Sequence, residues 1–105
     1  MVNLDCIGVL GEGPLLVDPG DMDEGKRLAD LILRRLTDAG ISDLGLQPLT
    51  SDHTVFQDRG FPAISILASR DCFLRYHTAA DTVDALDIGE LAAMVEALAR
   101  ALTEP

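Results

Sequence analysis

Apolar and polar residues alternate from Val2 to Asp5, and the chain then turns apolar through Cys6 and Ile7 to Val9. That spacing predicts a strand, with Asn3 and Asp5 on one face and Leu4 and Cys6 on the other. Gly11, Gly13 and Pro14 predict a turn. Leu15-Leu16-Val17 predicts a second short strand, close enough to the first to pair with it as a hairpin. After the turn at Asp18-Pro19-Gly20 the period changes. Leu28, Ala29, Leu31, Ile32, Leu36 and Ala39 recur at three- and four-residue steps, predicting a helix over residues 21–39. Asp21 or Asp23 is expected to cap its start, and Gly40 to stop it. Lys26, Arg27, Asp30, Arg34 and Arg35 fall mainly outside the stripe and read as a solvated face.

A third strand is expected over residues 44–49, limited by Pro48. Ser51 or Asp52 is expected to cap a short helix over 53–59, closed by Gly60. Pro62 to Ala68 is the strongest strand in the chain, apolar enough to be central. Residues 69–83 read as loop. Asp87, with Glu90 three residues on, predicts a capping box opening the last helix. Ile88, Leu91, Val95, Leu98 and Leu102 form a stripe expected to pack on the sheet. Helices between strands predict an α/β fold: a mixed, mostly parallel sheet of about four strands with helices packed on its faces. The 105 residues are sized for one domain, 1–105.

Composition narrows the partners. With 48% hydrophobic residues the chain is globular, and with three Phe, one Tyr and no Trp its core must be built from Leu, Ile, Val and Ala. The formal charge of −10 argues against nucleic acid and anionic membrane, which call for a basic surface. No apolar run is long enough to span a bilayer. The N-terminus lacks the pattern of a secretory signal, beginning abruptly as a strand. That leaves a cytoplasmic or an exported parent equally open. Cys6 and Cys72 are too few for a disulfide framework; they either pair or act as small buried hydrophobes.

Polar groups able to do chemistry gather around the central strand. Asp5 lies near the end of the first strand, Asp52 and His53 follow the third, and Tyr76, His77 and Asp81 follow the fourth. In open α/β sheets, sites form at the carboxyl ends of strands. Ser51-Asp52-His53 contains the letters of a catalytic triad, but sequence neighbours point apart and cannot form the relay. No phosphate-binding glycine loop and no Cys-x-x-Cys is present.

Three segments carry a resemblance: Asn3-Leu4-Asp5-Cys6-Ile7-Gly8; Ser51-Asp52-His53-x-x-Phe56 with Gly60-Phe61-Pro62-Ala63; and Tyr76-His77-Thr78-x-x-Asp81-Thr82. In this order they resemble the C-terminal half of the zinc-dependent aminopeptidases, the metallopeptidase family that includes the glutaminyl cyclases. Cys6 departs from the Met that these enzymes often carry there. The resemblance implies Asp5 and His77 as ligands to two zinc ions in the intact parent. It also implies Tyr76 polarising the scissile carbonyl, and a cleft for peptide substrates bordered by the Ser-Asp-His segment. Asp52 is assigned a supporting or substrate-facing role and His53 a structural one.

The same resemblance exposes a gap. The family's first-half ligands are a His, a bridging Asp and a Glu, with a second Glu as general base, and all lie upstream of the Asp5 position. The expectation is therefore a portion of a zinc aminopeptidase that is inactive, or nearly so, by itself. The alternatives are a non-catalytic peptidase-like binding or structural module, and a complete small enzyme using these residues in a new way. A half-domain would also leave an open sheet edge, predicting a homodimer that covers it.

Overall fold

The computed structural model describes residues 1–9, 13–68 and 75–104. Four strands, β1 (Val2–Asp5), β2 (Leu15–Asp18), β3 (Leu44–Leu46) and β4 (Ile64–Ala68), form one sheet in the order β1-β4-β2-β3. β1 runs parallel to β4 and β3 parallel to β2, while β2 and β4 are antiparallel. The sheet is therefore mixed and mostly parallel, and the fold is α/β. The expected hairpin between β1 and β2 does not form. β4, apolar except for Ser65 and buried at four of its five residues, takes the place between them. A strand covered on both sides gains most from the centre, and the less apolar β1 is left at the edge.

Helices α1 (Asp23–Asp38) and α3 (Ile88–Thr103) lie on one face, with the short α2 (Thr54–Asp58) between β3 and β4 in the chain. The pleat directs Leu15, Val17, Ile64, Ile66 and Ala68 toward Ala29, Ile32 and Leu36 of α1 and Met94, Ala97 and Ala101 of α3. These residues form the core. The opposite face carries Asn3, Asp5, Asp18 and Ser65, and the segment around residues 49–57 closes on it through hydrogen bonds.

Several local expectations need correction. β1 stops at Asp5 because Cys6 adopts a left-handed backbone with φ 50°. β3 stops at Leu46, although the Gln47 amide still donates to the Val17 carbonyl at 3.1 Å. Neither Asp21 nor Asp23 caps α1; Met22 occupies that position with no side-chain cap. Neither Ser51 nor Asp52 caps α2; His53 occupies that position with no side-chain cap, its ring turned to Asp18, and the Ser51 hydroxyl is spent on Asp5. Asp87 does cap α3, accepting from the Glu90 amide at 3.0 Å. The stripe expected along α3 is only partly the buried one. Leu98 is buried with Met94, Ala97 and Ala101, but Ile88, Val95 and Leu102 remain exposed. The helix is apolar on more than one side, so a seven-residue period alone selects no single face. The small alanines win the sheet side because they let the helix approach closely. On α1, Ala39 is exposed beyond the last turn. The loop positions Arg70 and Asp71, Cys72 and any pairing with it, and part of the Gly11–Pro14 turn lie outside the described residues.

Candidate functional site

Because β1 and β4 are parallel, their carboxyl ends reach the same edge of the sheet, with Asp5 in register with Leu67. Asp5 therefore meets the segment that follows β4. A cleft of about 540 Å³ opens there, lined by Asp5, Cys6, Ser51, Tyr76, His77 and Asp81 among others. Residues from the front, middle and back of the chain thus share one concavity.

The backbone around this cleft is unusual at two points. Cys6 (φ 50°) and His77 (φ 62°) both adopt the left-handed conformation, and no other non-glycine among the described residues does so. For L-residues this costs about 1–2 kcal/mol each. Such conformations persist where surrounding structure fixes them, and they cluster at functional sites. At His77 the fixing is visible. Thr78 folds the segment on itself: its amide donates to the Arg75 carbonyl at 3.0 Å and its hydroxyl donates to the same oxygen. That hydroxyl also accepts from the Ala80 amide at 3.2 Å. The Tyr76 and His77 rings stand against each other, 4.5 Å between centroids and tilted by 48°.

Asp5 is held by a relay of short polar side chains. The Ser51 hydroxyl donates to Asp5 Oδ2 at 2.8 Å. Asn3 Nδ2 lies 3.3 Å from Ser51 Oγ and 3.1 Å from Ser65 Oγ, donating toward both. Asn3 and Ser65 are register partners on neighbouring strands, so strand pairing itself places the relay. The Ser-Asp-His segment is expected to border the cleft, and Ser51 does line it; its hydrogen bond to Asp5 is the part the sequence does not foretell. The signal for that bond is the shared face of Asn3 and Asp5, a donor and an acceptor that the Ser51 hydroxyl bridges. Asp52, by contrast, is exposed and outside the cleft lining.

His53, the third member of the Ser-Asp-His run, turns the other way and is fully buried. Its Nε2 lies 2.7 Å from Asp18 Oδ2. An ionised carboxylate can only accept, so Nε2 carries the proton and donates. Asp18 also accepts from the Gly20 amide at 2.9 Å and the Leu49 amide at 3.0 Å. Burial alone would raise the Asp18 pKa. The hydrogen bonds from His53, Leu49 and Gly20, with the His53 charge, outweigh it and hold the carboxyl below its ordinary 3.8. This pair pins the strand-to-helix segment carrying Ser51 against the sheet, which makes His53 structural.

Asp5 and His77 offer oxygen and nitrogen donors suited to zinc, which takes four ligands in structural sites and three protein ligands plus water in catalytic ones. Among the described residues no three His, Cys, Asp or Glu side chains group together to hold a metal ion. Two donors fall short of a complete set, so the described residues do not by themselves fit a resident zinc. Among them, too, no helix is long and apolar enough to cross a membrane.

A comparison with curated proteins gave no match, and neither did one with solved structures. A profile of Peptidase family M28 matches residues 1–102. The match takes in both walls of the cleft, the Asp5 strand and the Tyr76-His77 turn, along with the whole sheet that joins them. The chain belongs to peptidase family M28, zinc-dependent metallopeptidases that include aminopeptidases and glutaminyl cyclase-like members.

Proposed function

We propose that the cleft is one side of an aminopeptidase site acting on peptide substrates, and that this chain alone does not turn over substrate. The observation that carries the reading is that Asp5 and His77 line one cleft, each beside or within a left-handed backbone turn. Asp5 and His77 would be the ligands this chain contributes, and zinc held by them together with donors from outside the described residues would supply Lewis-acid activation. Ser51 fixes one oxygen of Asp5 and leaves the other for coordination. The Tyr76 phenol, beside the His77 ring, donates to the carbonyl oxygen of the bond to be cleaved. The proposed inactivity rests on a donor set of two and on the lack of a Glu general base among the described residues that line the cleft.

The test has two readouts on the purified chain. Zinc titration by calorimetry should show weak binding, poorer than about micromolar and far from the affinity of complete zinc sites. Asp5→Asn and His77→Ala should each abolish it. Hydrolysis of aminoacyl-nitroanilides with added zinc should stay at background. Unchanged zinc binding in both variants would overturn the ligand assignment. Zinc-dependent turnover lost in His77→Ala would overturn the inactivity.

A further inference from the structure

β3 forms the flank of the sheet away from β1. Its pairing with β2 uses every second residue. The Asp43 carbonyl accepts from the Leu15 amide at 2.8 Å, and the Gln47 amide donates to the Val17 carbonyl at 3.1 Å. Backbone groups of successive strand residues point to alternate sides, so Gly45 also faces β2, while Leu44 and Leu46 turn theirs outward. The Leu44 amide is satisfied locally, donating to the Ser42 carbonyl at 3.0 Å. That leaves the Leu46 N–H and the carbonyls of Leu44 and Leu46 along the outer edge, placed to receive another strand.

Beside this edge α1 leaves a groove of about 440 Å³, lined by Pro19, Lys26, Arg27, Asp30, Leu33 and Leu46 among others. Leu46 is the register partner of Val17, so its side chain lies on the helix side of the sheet, and it is 61% exposed. Lys26 and Arg27 are exposed too, and among the described residues neither is paired with a carboxylate. Asp30 is the one carboxylate of the lining. In a chain of net charge −10, two unpaired cations beside an open strand make a locally favourable place for a single negative charge.

We propose that this edge docks an extended segment of a partner protein, added antiparallel outside β3 and carrying a carboxylate two residues before an apolar side chain. One guest residue exchanges both backbone hydrogen bonds with Leu46, and the guest amide two residues further on donates to the Leu44 carbonyl. The side chain opposite Leu46 points to the helix side and covers Leu33 and Leu46. The residue two before it lies on the same side, beyond the carboxyl end of β3. The first turn of α1 stands at that end of the sheet. Gly25 packs so closely on Pro19, the residue after β2, that a Cβ there would lie 2.4 Å from the Pro19 carbonyl oxygen, and Lys26 and Arg27 follow it. The overall charge of the chain repels a polyacidic guest, so one carboxylate is the match. β3 has only three residues, which makes the contact small and reversible. None of the groove lining is shared with the cleft of Asp5 and His77, so the inference stands apart from the peptidase reading.

A capped peptide Ser-Glu-Thr-Ile-Ser, titrated into the isotope-labelled whole chain and followed by NMR, tests this. The expected result is a saturable set of amide shifts confined to residues 26–33 and 44–48, with Asp5 and His77 unmoved. Lys26→Glu combined with Arg27→Glu should weaken binding at least about tenfold, and so should Lys in place of Glu in the peptide. Leu46→Pro removes an outward N–H that β2 does not use, so the variant should keep its circular dichroism spectrum and bind no peptide. Methylating the Ile amide of the peptide removes the donor to the Leu46 carbonyl and should abolish binding to the wild type, whatever any variant does to folding. No shift at millimolar peptide would overturn the proposal. So would undiminished binding of the methylated or the Lys-containing peptide, binding that survives Leu46→Pro, shifts centred on the cleft, or a second copy of the chain already seated on β3.

Discussion

Replacing Asp18 tests whether the buried pair with His53 holds the cleft wall in place. The carboxylate accepts three hydrogen bonds, from His53 Nε2 and the amides of Gly20 and Leu49. Asp18→Ala leaves three donors without their acceptor, one of them the fully buried His53 ring and two half-buried amides. Breaking a buried pair from one side costs about 3–5 kcal/mol, a large share of the 5–15 kcal/mol typical of a whole domain. Asp18→Asn keeps the shape but turns one acceptor into a donor facing other donors, and should cost about 2–3 kcal/mol. Urea unfolding of wild type, Asp18→Asn, His53→Ala and the double variant forms a cycle. Its coupling energy should be about 1.5–3 kcal/mol, the worth of a hydrogen bond to a charged group. The pH dependence has a defined sign. The folded pKa of Asp18 lies below the ordinary 3.8, so the unfolded chain binds the proton more readily. Its stabilisation is fully present above 3.8 and disappears as pH falls through the lower folded value. The gap between wild type and Asp18→Asn should stay constant from pH 7 to 5 and then narrow. A coupling below about 0.5 kcal/mol, the limit of simple additivity, would refute the reasoning.

Two helical glycines should respond to alanine in opposite directions. A Cβ on Gly25 would sit 2.4 Å from the Pro19 carbonyl oxygen, which is backbone and cannot swing aside. Gly25→Ala should therefore lose about 1–3 kcal/mol in urea unfolding despite alanine's better helix propensity. At Gly89 the nearest atom is Asp87 Oδ1 at 3.5 Å, an ordinary contact, so Gly89→Ala should gain about 0.5–1 kcal/mol. Asp87→Ala removes the acceptor for the Glu90 amide and should cost about 1 kcal/mol, read as a lower melting temperature.

The α/β class was legible because the pattern switches period cleanly: alternation in β1, three- and four-residue steps in α1, a continuous apolar run in β4. Strand order was not legible. Nothing local tells Leu15-Leu16-Val17 whether its neighbour comes from residues 2–5 or 64–68; the burial gained by centring β4 decides it. Asp5, Tyr76 and His77 were legible as candidates from their places at strand ends, with roles implied by the resemblance, and parallel pairing of β1 with β4 gives a physical reason for their shared cleft. The bond from Ser51 to Asp5 was not legible, because it depends on a register that brings Asn3 opposite Ser65. Asp18 was read only as part of a turn, because its partner is 35 residues away and the pair forms only when the segment around His53 folds back. On α3 the exposed Ile88, Val95 and Leu102 outcompeted the alanines in the pattern, since hydrophobicity scores size and the sheet side rewards closeness.

The order β1-β4-β2-β3 places the first strand in sequence at the rim, attached along one side to a strand some sixty residues later. β2, β3, β4 and both long helices can hold together without it. Peeling that outermost ribbon away would remove Asp5 while sparing the apolar interior. Amide protons of residues 2–5 should then exchange faster than those of residues 64–68, and the cleft would come apart well before the molecule melts.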